Sequence, residues 1–335
     1  MKIGTISLWR DSVAAFVDEV QLAERVGAHM VTVGDSQSLY RELYVSLAIV
    51  AEVTETAFIG PMVTNPTTRH PAVVASGLAA LDELSGGRVV FGIGTGGSAV
   101  WALGERPASL ASLSAYLETL RSLWTCGTAE WRGQQIHVDG IERRVKLFVA
   151  AEGPRTLRLA GALADGILLH SGASTSAIRW CRAHVEEGAR SVGRDPDDIS
   201  LWVMLKASIF DDRERALREA RAGLAGSARH ALSSHLDEKG IPADLVEPLR
   251  QLIERYDVRT HAKAVSDNAQ LVDNLGLTAF LAEMFGLVGS PAECAARLRT
   301  LRALGIEGVL VPAIGSNPMG LIERLGLEVL PLVGD

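Results

Sequence analysis

Apolar strand-like runs alternate with helix-like stretches along this chain, eight such runs can be counted with a helix after each, and polar residues gather just past their ends. Together these features predict an α/β fold, a (β/α)8 or TIM barrel, with a helical insertion at about 213–281 between strands 7 and 8. Strand, helix and strand joined by short connections imply parallel pairing. Eight units favour closure into a barrel over an open doubly wound sheet. No linker rich in Pro, Gly or Ser divides the chain, so residues 1–335 read as a single domain.

The elements follow in order. Strand 1 is read from Ile3 to Trp9, with a helix from Ser12 to Val26, and strand 2 from Met30 to Asp35, with a helix from Tyr40 to Val53. Strand 3, Ala57 to Val63, ends in the polar turn Thr-Asn-Pro-Thr-Thr-Arg-His-Pro. Apolar residues then recur at helical spacing through Val73, Val74, Leu78, Leu81 and Leu84. Pro71 suits the first turn of that helix, and Ser85-Gly86-Gly87 stops it because glycine accepts the left-handed backbone common at a helix C-terminus. Arg88 to Ile93 is strand 4, followed by a helix from Leu110 to Trp124 and a small hairpin from Trp131 to Val138. Val145 to Ala151 is strand 5 and runs into a helix at Gly153-Pro154-Arg155. Gly166 to His170 is strand 6, with a helix from Ser176 to Ser191, and Ile199 to Phe210 is strand 7. From Arg213 to about Leu281 the sequence is helical and charged, with no clear strand. Ser290 caps the next helix with Glu293 at the capping-box position, and Gly308 to Ala313 is strand 8 before a C-terminal helix.

Composition narrows the function. The 335 residues are 47% hydrophobic with a mean hydropathy of +0.18, enough for an extensive core. A net charge of −7 gives no basic face for nucleic acid. Cys126, Cys181 and Cys294 are far apart and odd in number, so neither a disulfide framework nor a CxxC metal site is expected. Eight scattered histidines show no HExxH or comparable spacing, and no metal set is expected. The N-terminus carries no signal-peptide pattern and no apolar run reaches the roughly 20 residues of a membrane span. A cytoplasmic protein is the expectation.

In such a barrel the site lies where the strands end. The candidates are Ser7 and Trp9, Asp35 with Ser36 and Gln37, and Thr64, Asn65, Arg69 and His70. Thr95 with Gly96 and Gly97, Glu152 with Gly153, His170 and Lys206 complete them. Asp35 would project from strand 2 toward the mouth, as a hydrogen-bond acceptor or proton relay, or else as a turn or capping aspartate. His70 either orients a substrate or caps the helix that begins at Pro71. The turn Glu152-Gly153-Pro154-Arg155 exposes first-turn N–H groups that attract phosphate, and Arg155 adds charge; the plainer reading is a tight turn with Pro at the first helical position. Gly92-Ile93-Gly94-Thr95-Gly96-Gly97 lacks the acidic partner of a dinucleotide fingerprint, and its glycines instead let backbone approach a flat ligand.

Four stretches carry a resemblance: Asp35 through Tyr44, Val63 through Pro71, Leu81 through Arg88, and Gly92-Ile93-Gly94-Thr95-Gly96. They resemble the bacterial luciferase-like superfamily, and within it the branch of methylenetetrahydromethanopterin reductase and other oxidoreductases that use the deazaflavin coenzyme F420. Ala150 through Gly166 and Phe285 through Pro291 extend the likeness along nearly the whole chain. The resemblance implies an often dimeric barrel that holds a flavin or deazaflavin at its mouth. It also implies a non-prolyl cis peptide at Met62-Val63 behind the central ring, with Thr64 and Asn65 beside the ring and Asp35 and Ser36 near its edge. Thr95 and Gly96 would run along the pyrimidine side, and Glu152, Gly153, Pro154 and Arg155 would hold the phosphate. Where relatives of the methanopterin reductase usually show GxGxGD, this chain has Gly97, so an acidic group beside the reacting centre is missing.

The expected function is therefore an F420-dependent oxidoreductase that moves hydride between the deazaflavin and a small organic substrate, with Asp35 or His70 assisting protonation. The alternative is a monooxygenase using reduced FMN and oxygen on the same barrel. A third reading is a barrel that has lost redox chemistry and binds a ligand. Pocket selectivity is expected to depend on Trp9, Trp101 and the 213–281 region.

Overall fold

The computed structural model describes residues 1–233, 236, 239, 241–257 and 267–334. Eight parallel strands form the central sheet: β1 (Lys2–Ser7), β2 (Met30–Val33), β3 (Phe58–Pro61), β4 (Val90–Ile93), β5 (Lys146–Ala151), β6 (Gly166–Leu169), β7 (Ser200–Met204) and β8 (Gly308–Pro312). Their hydrogen-bonded order is β3-β2-β1-β8-β7-β6-β5-β4. Parallel bridges Ile59 to Val89 and Thr64 to Ile93 join the two ends, so the sheet curls into the expected (β/α)8 barrel. The Met62–Val63 peptide between those bridges is cis.

The side-chain alternation of a strand sorts two cores. Ile6, Met30, Met62, Val90, Phe148, Leu168, Trp202 and Leu310 point inward and fill the barrel. Gly166 and Gly308 leave space there that Phe148 and Trp202 occupy. Val31, Ile59, Phe91, Val149, Ile167, Val203 and Val309 face outward against the helices and join the larger core.

The helices begin where their sequences say they should. Ser12 Oγ accepts from the Ala15 N–H to open Val13–Arg25. At Pro291–Ala303 the capping box is complete: Ser290 Oγ accepts from the Glu293 N–H at 3.3 Å, and Glu293 Oε2 accepts from the Ser290 N–H at 2.8 Å. Helices Pro154–Leu163 and Thr175–Ser191 meet at two glycines. A Cβ on Gly161 would collide with the Val185 carbonyl, and one on Gly188 with the Arg158 carbonyl. The expected hairpin is present, shifted toward the N-terminus as Thr128–Trp131 and Gln134–His137.

The sequence reading of strand 7 joined two strands. The barrel strand stops at Met204, and Lys206–Ile209 leaves the ring to pair in parallel with Gly286–Gly289. The sequence reading assigned no strand to the second partner, where glycines flank only two apolar residues. Between these strands lie helices Arg213–Ala231, Ala243–Arg255, Asp267–Asn274 and Thr278–Phe285. Leu224, Leu249, Leu252, Val272, Leu277 and Leu281 pack them into a core of their own. Among the described residues, no helix is long and apolar enough to cross a membrane.

Candidate functional site

A cavity of about 670 Å³ opens at the C-terminal ends of the strands. Its base is apolar, formed by Ile6, Leu8, Met62, Val63, Leu168 and Met204, and its rim is polar. Continued inward alternation places Glu152 two residues past Ala150, His170 two past Leu168, and Lys206 two past Met204, all on the cavity wall. Packed against this wall is helix Arg213–Ala231, which contributes Ala222, Gly223, Gly226, Ser227 and His230 to the lining.

Asp35 lies at the rim but is fully engaged. Its carboxylate accepts from Thr64 Oγ1 at 2.6 Å and from Arg69 Nη1 and Nη2 at 2.7 and 3.4 Å. Arg69 reaches on to Glu42 at 2.9 Å and lies over the Tyr44 ring. Burial disfavours the guanidinium charge, yet the two carboxylates outweigh it and its pKa is raised. A carboxylate held this way fixes the loop after β3 and is a poor proton relay.

His70 is not at the mouth. It is exposed, its Nδ1 accepts from the Ala72 N–H at 3.2 Å, and its ring meets Trp131 edge-on. The capping alternative is the one the geometry follows. Trp9 also turns away, stacked on Phe16, whereas Trp101 stands 56% exposed on the cavity rim.

The other expected cofactor residues do converge: Ser36, Met62, Val63, Thr64, Asn65, Thr95, Gly96, Glu152, Gly153, Pro154 and Arg155 all line the cavity. Asn65 uses its Oδ1 locally, accepting from the Thr67 and Thr68 N–H groups at 3.0 Å. Ser36 is buried, and its hydroxyl has no hydrogen-bond partner among the described residues. Gly96 has φ +108°, and a Cβ there would lie 2.5 Å from Val100. Helix Pro154–Leu163 begins at Gly153 with no side-chain cap, and Gly153, Pro154, Arg155 and Thr156 of this helix start line the cavity. A flat ligand with an anionic tail matches this wall and this helix end.

Two of the sequence candidates, Glu152 and His170, form a cluster with His230, which the sequence reading did not single out. Glu152 Oε1 lies 2.6 Å from His170 Nδ1 and 2.9 Å from His230 Nδ1, and Glu152 Oε2 lies 3.0 Å from His230 Nδ1. An ionised carboxylate only accepts, so each Nδ1 carries its proton toward it. Burial penalises the Glu152 charge, but the two imidazoles more than compensate and hold its pKa far below the carboxylate range. His170 moves the other way: burial outweighs its bond to Glu152 and lowers its pKa. For His230, burial is outweighed by Glu152, and its pKa is raised. These three groups are close enough to hold a metal ion. Their 2.6–3.0 Å spacings are those of hydrogen bonds, shorter than the roughly 3.3 Å that separates ligands around tetrahedral zinc. Lys206 adds a cation at the same wall, its pKa pushed down to about 8 by desolvation. Sequence spacing could not have found His230, which lies 78 residues from Glu152.

Comparison with known proteins gives this arrangement a context. Residues 1–308 match the family model described as luciferase-like monooxygenase. The chain is 27% identical to 5,10-methylenetetrahydromethanopterin reductase of Methanolobus tindarius, over 98% of this chain and 100% of that protein. It is 31% identical to F420-dependent glucose-6-phosphate dehydrogenase of Nocardia farcinica, over 77% of this chain and 82% of that one. The coenzyme F420 dependent tetrahydromethanopterin reductase from Methanopyrus kandleri has the same fold, with a TM-score of 0.78 at 24% identity and 98% coverage of both chains.

Proposed function

The chain belongs to the luciferase-like monooxygenase family, and from that premise we propose that it is an F420-dependent oxidoreductase acting on a small organic substrate at the barrel mouth. The observation that carries this reading is the two-ended cavity. At one end Val63, Gly94 and Gly96 offer a wall that a flat ring can approach, beside the unpartnered hydroxyl of Ser36. At the other end the uncapped helix at Gly153 and Pro154, with Arg155, suits a phosphate. The F420-dependent glucose-6-phosphate dehydrogenase of Nocardia farcinica matches over 77% of the chain, and the coenzyme F420 dependent reductase from Methanopyrus kandleri shares its fold over 98%.

Bound deazaflavin supplies the hydride chemistry. The protein's own residues do the rest. Thr64, fixed by Asp35, and Asn65, fixed by its own turn, present a preset edge to the ring. Thr95 and Gly96 form the adjoining wall, and Gly153, Pro154 and Arg155 anchor the tail. The apolar base excludes water from beneath the ring, which sharpens the effect of every charge at the rim. The same reading takes the chain as one barrel domain with the helical stretch 213–281 as its insertion.

Titration of the purified protein with F420, read by quenching of deazaflavin fluorescence, is expected to saturate at micromolar or lower concentration. FMN is titrated in parallel. Preference for FMN would favour a flavin monooxygenase, and binding of neither would leave a barrel without redox function.

A further inference from the structure

Gly97 leaves the cavity wall without a side chain, and one residue faces that opening. A Cβ built on Gly97 would meet nothing closer than His230 Nε2, at 4.0 Å. The other ring nitrogen of His230 is held by Glu152, and Nε2 has no hydrogen-bond partner among the described residues. His230 also lies in the last turn of Arg213–Ala231, where the helix carbonyls favour a cation.

We propose that His230, oriented by Glu152 and facing the space left by Gly97, is the catalytic proton donor and acceptor of this site, and that its substrate belongs to the alcohol–carbonyl couple. The proposal rests on the F420 reading above. With Nδ1–H fixed on Glu152, neutral His230 presents a lone pair at Nε2 and charged His230 presents an N–H. With F420 bound, the deazaflavin would take up the hydride of the alcohol carbon in the oxidising direction, and Nε2 of His230 would take the hydroxyl proton, leaving a carbonyl. In the reducing direction the reduced cofactor would supply the hydride to the carbonyl carbon, and Nε2 would return the proton to its oxygen.

The surrounding charges favour this couple. Lys206 lines the same cavity with no carboxylate within ion-pair distance among the described residues, and its stem packs against Gly223 on the helix that carries His230. Lys206 and charged His230 set two positive groups against the single carboxylate of Glu152, with His170 neutral. An oxygen that builds negative charge as hydride arrives is stabilised there. A cationic iminium is repelled. Glu152 is a positioning residue that sets the tautomer and the proton affinity of His230.

The test uses the full chain loaded with F420, assayed against a panel of primary and secondary alcohols, and with reduced F420 against aldehydes and ketones. His230→Gln is expected to lower kcat about a hundredfold or more while F420 affinity, which also reports folding, changes less than twofold. Gly97→Asp in the His230→Gln background is expected to recover at least tenfold by placing an acid in the same space. Carbonyl reduction should fall as pH rises through the titration of His230, and Glu152→Gln should move that fall to lower pH. Imidazole NMR of the cofactor-free protein should show the same downward move of the His230 titration. Unchanged kcat in His230→Gln, or a titration that Glu152→Gln does not move, overturns the role. Absence of turnover with every panel compound by protein that binds F420 overturns the substrate class. Activity abolished by EDTA and restored by zinc would assign the cluster to a metal and overturn the proposal. Failure to bind F420 removes the underlying reading and this one with it.

Discussion

Arg69 and Asp35 form an ion pair of 2.7 Å at the edge of the cavity, with side chains only 15% and 2% exposed. The carboxylate therefore acts as a strut: it ties the end of β2 to the turn after β3 and fixes the Thr64 hydroxyl. Arg69→Ala leaves a buried carboxylate without its counter-charge and is expected to cost about 3–5 kcal/mol of folding stability. Urea denaturation measures this, and a loss below 1 kcal/mol would show that water or Thr64 alone satisfies Asp35.

Glu19 gives an opposite case. Desolvation raises its pKa to about 7, against lowering contributions from Ser7 and Arg10, and one carboxyl oxygen is buried without a partner. A raised carboxyl pKa favours the folded state at low pH, and that advantage is lost as pH rises from about 4.3 toward 7. Glu19→Gln is expected to stabilise the protein above pH 7 by about 1–2 kcal/mol. Thermal melts at pH 5 and pH 8 should show the gain only at pH 8.

The Glu152 cluster sets a pH window from both sides. The depressed Glu152 carboxyl contributes stability above its unfolded value of about 4.3, which drains away as pH falls below it. The raised His230 contributes stability that is full below about 6.5 and is lost as pH rises through its folded value. The stability difference between the wild type and Glu152→Gln should therefore peak between these limits. A difference flat from pH 3 to pH 9 would mean that the pair does not form in solution.

The barrel was legible because apolar runs alternate with helix-like stretches along the chain, and Glu152, His170 and Lys206 were candidates because they fall at or near the ends of those runs. Two things escaped. The break at Leu205 is hidden because Ile199 to Phe210 stays strand-like throughout, although its chain changes sheets. The partners of the site charges were invisible: Asp35 looks free until Arg69, 34 residues on, folds back over it. His230 sits in a charged helix with no local feature to mark it, and only tertiary packing brings it to Glu152.

Helices Pro154–Leu163 and Thr175–Ser191 touch backbone to backbone at Gly161 and Gly188. Either glycine replaced by alanine forces them apart and is expected to cost about 1–3 kcal/mol. Because the first of these helices starts at the phosphate turn, its displacement should also weaken F420 binding. A stability loss with unchanged affinity would confine the effect to packing.

Arg155 is exposed, so its charge acts through solvent. Arg155→Ala is expected to weaken F420 about three- to tenfold, an effect that fades at high salt. A deazaflavin without the phosphate should bind wild type and variant alike. Equal loss for both ligands would place Arg155 elsewhere than at the tail.

The pairing of Lys206–Ile209 with Gly286–Gly289 has a consequence for how such a site is divided. The chain departs from the barrel and returns to it along adjacent strands, so everything between is a cassette stitched shut at its base. The wall proposed for hydride transfer belongs to the barrel, while His230 belongs to the cassette. On the proposed reading, the cofactor wall and the proton-transferring group therefore lie on different parts of the fold.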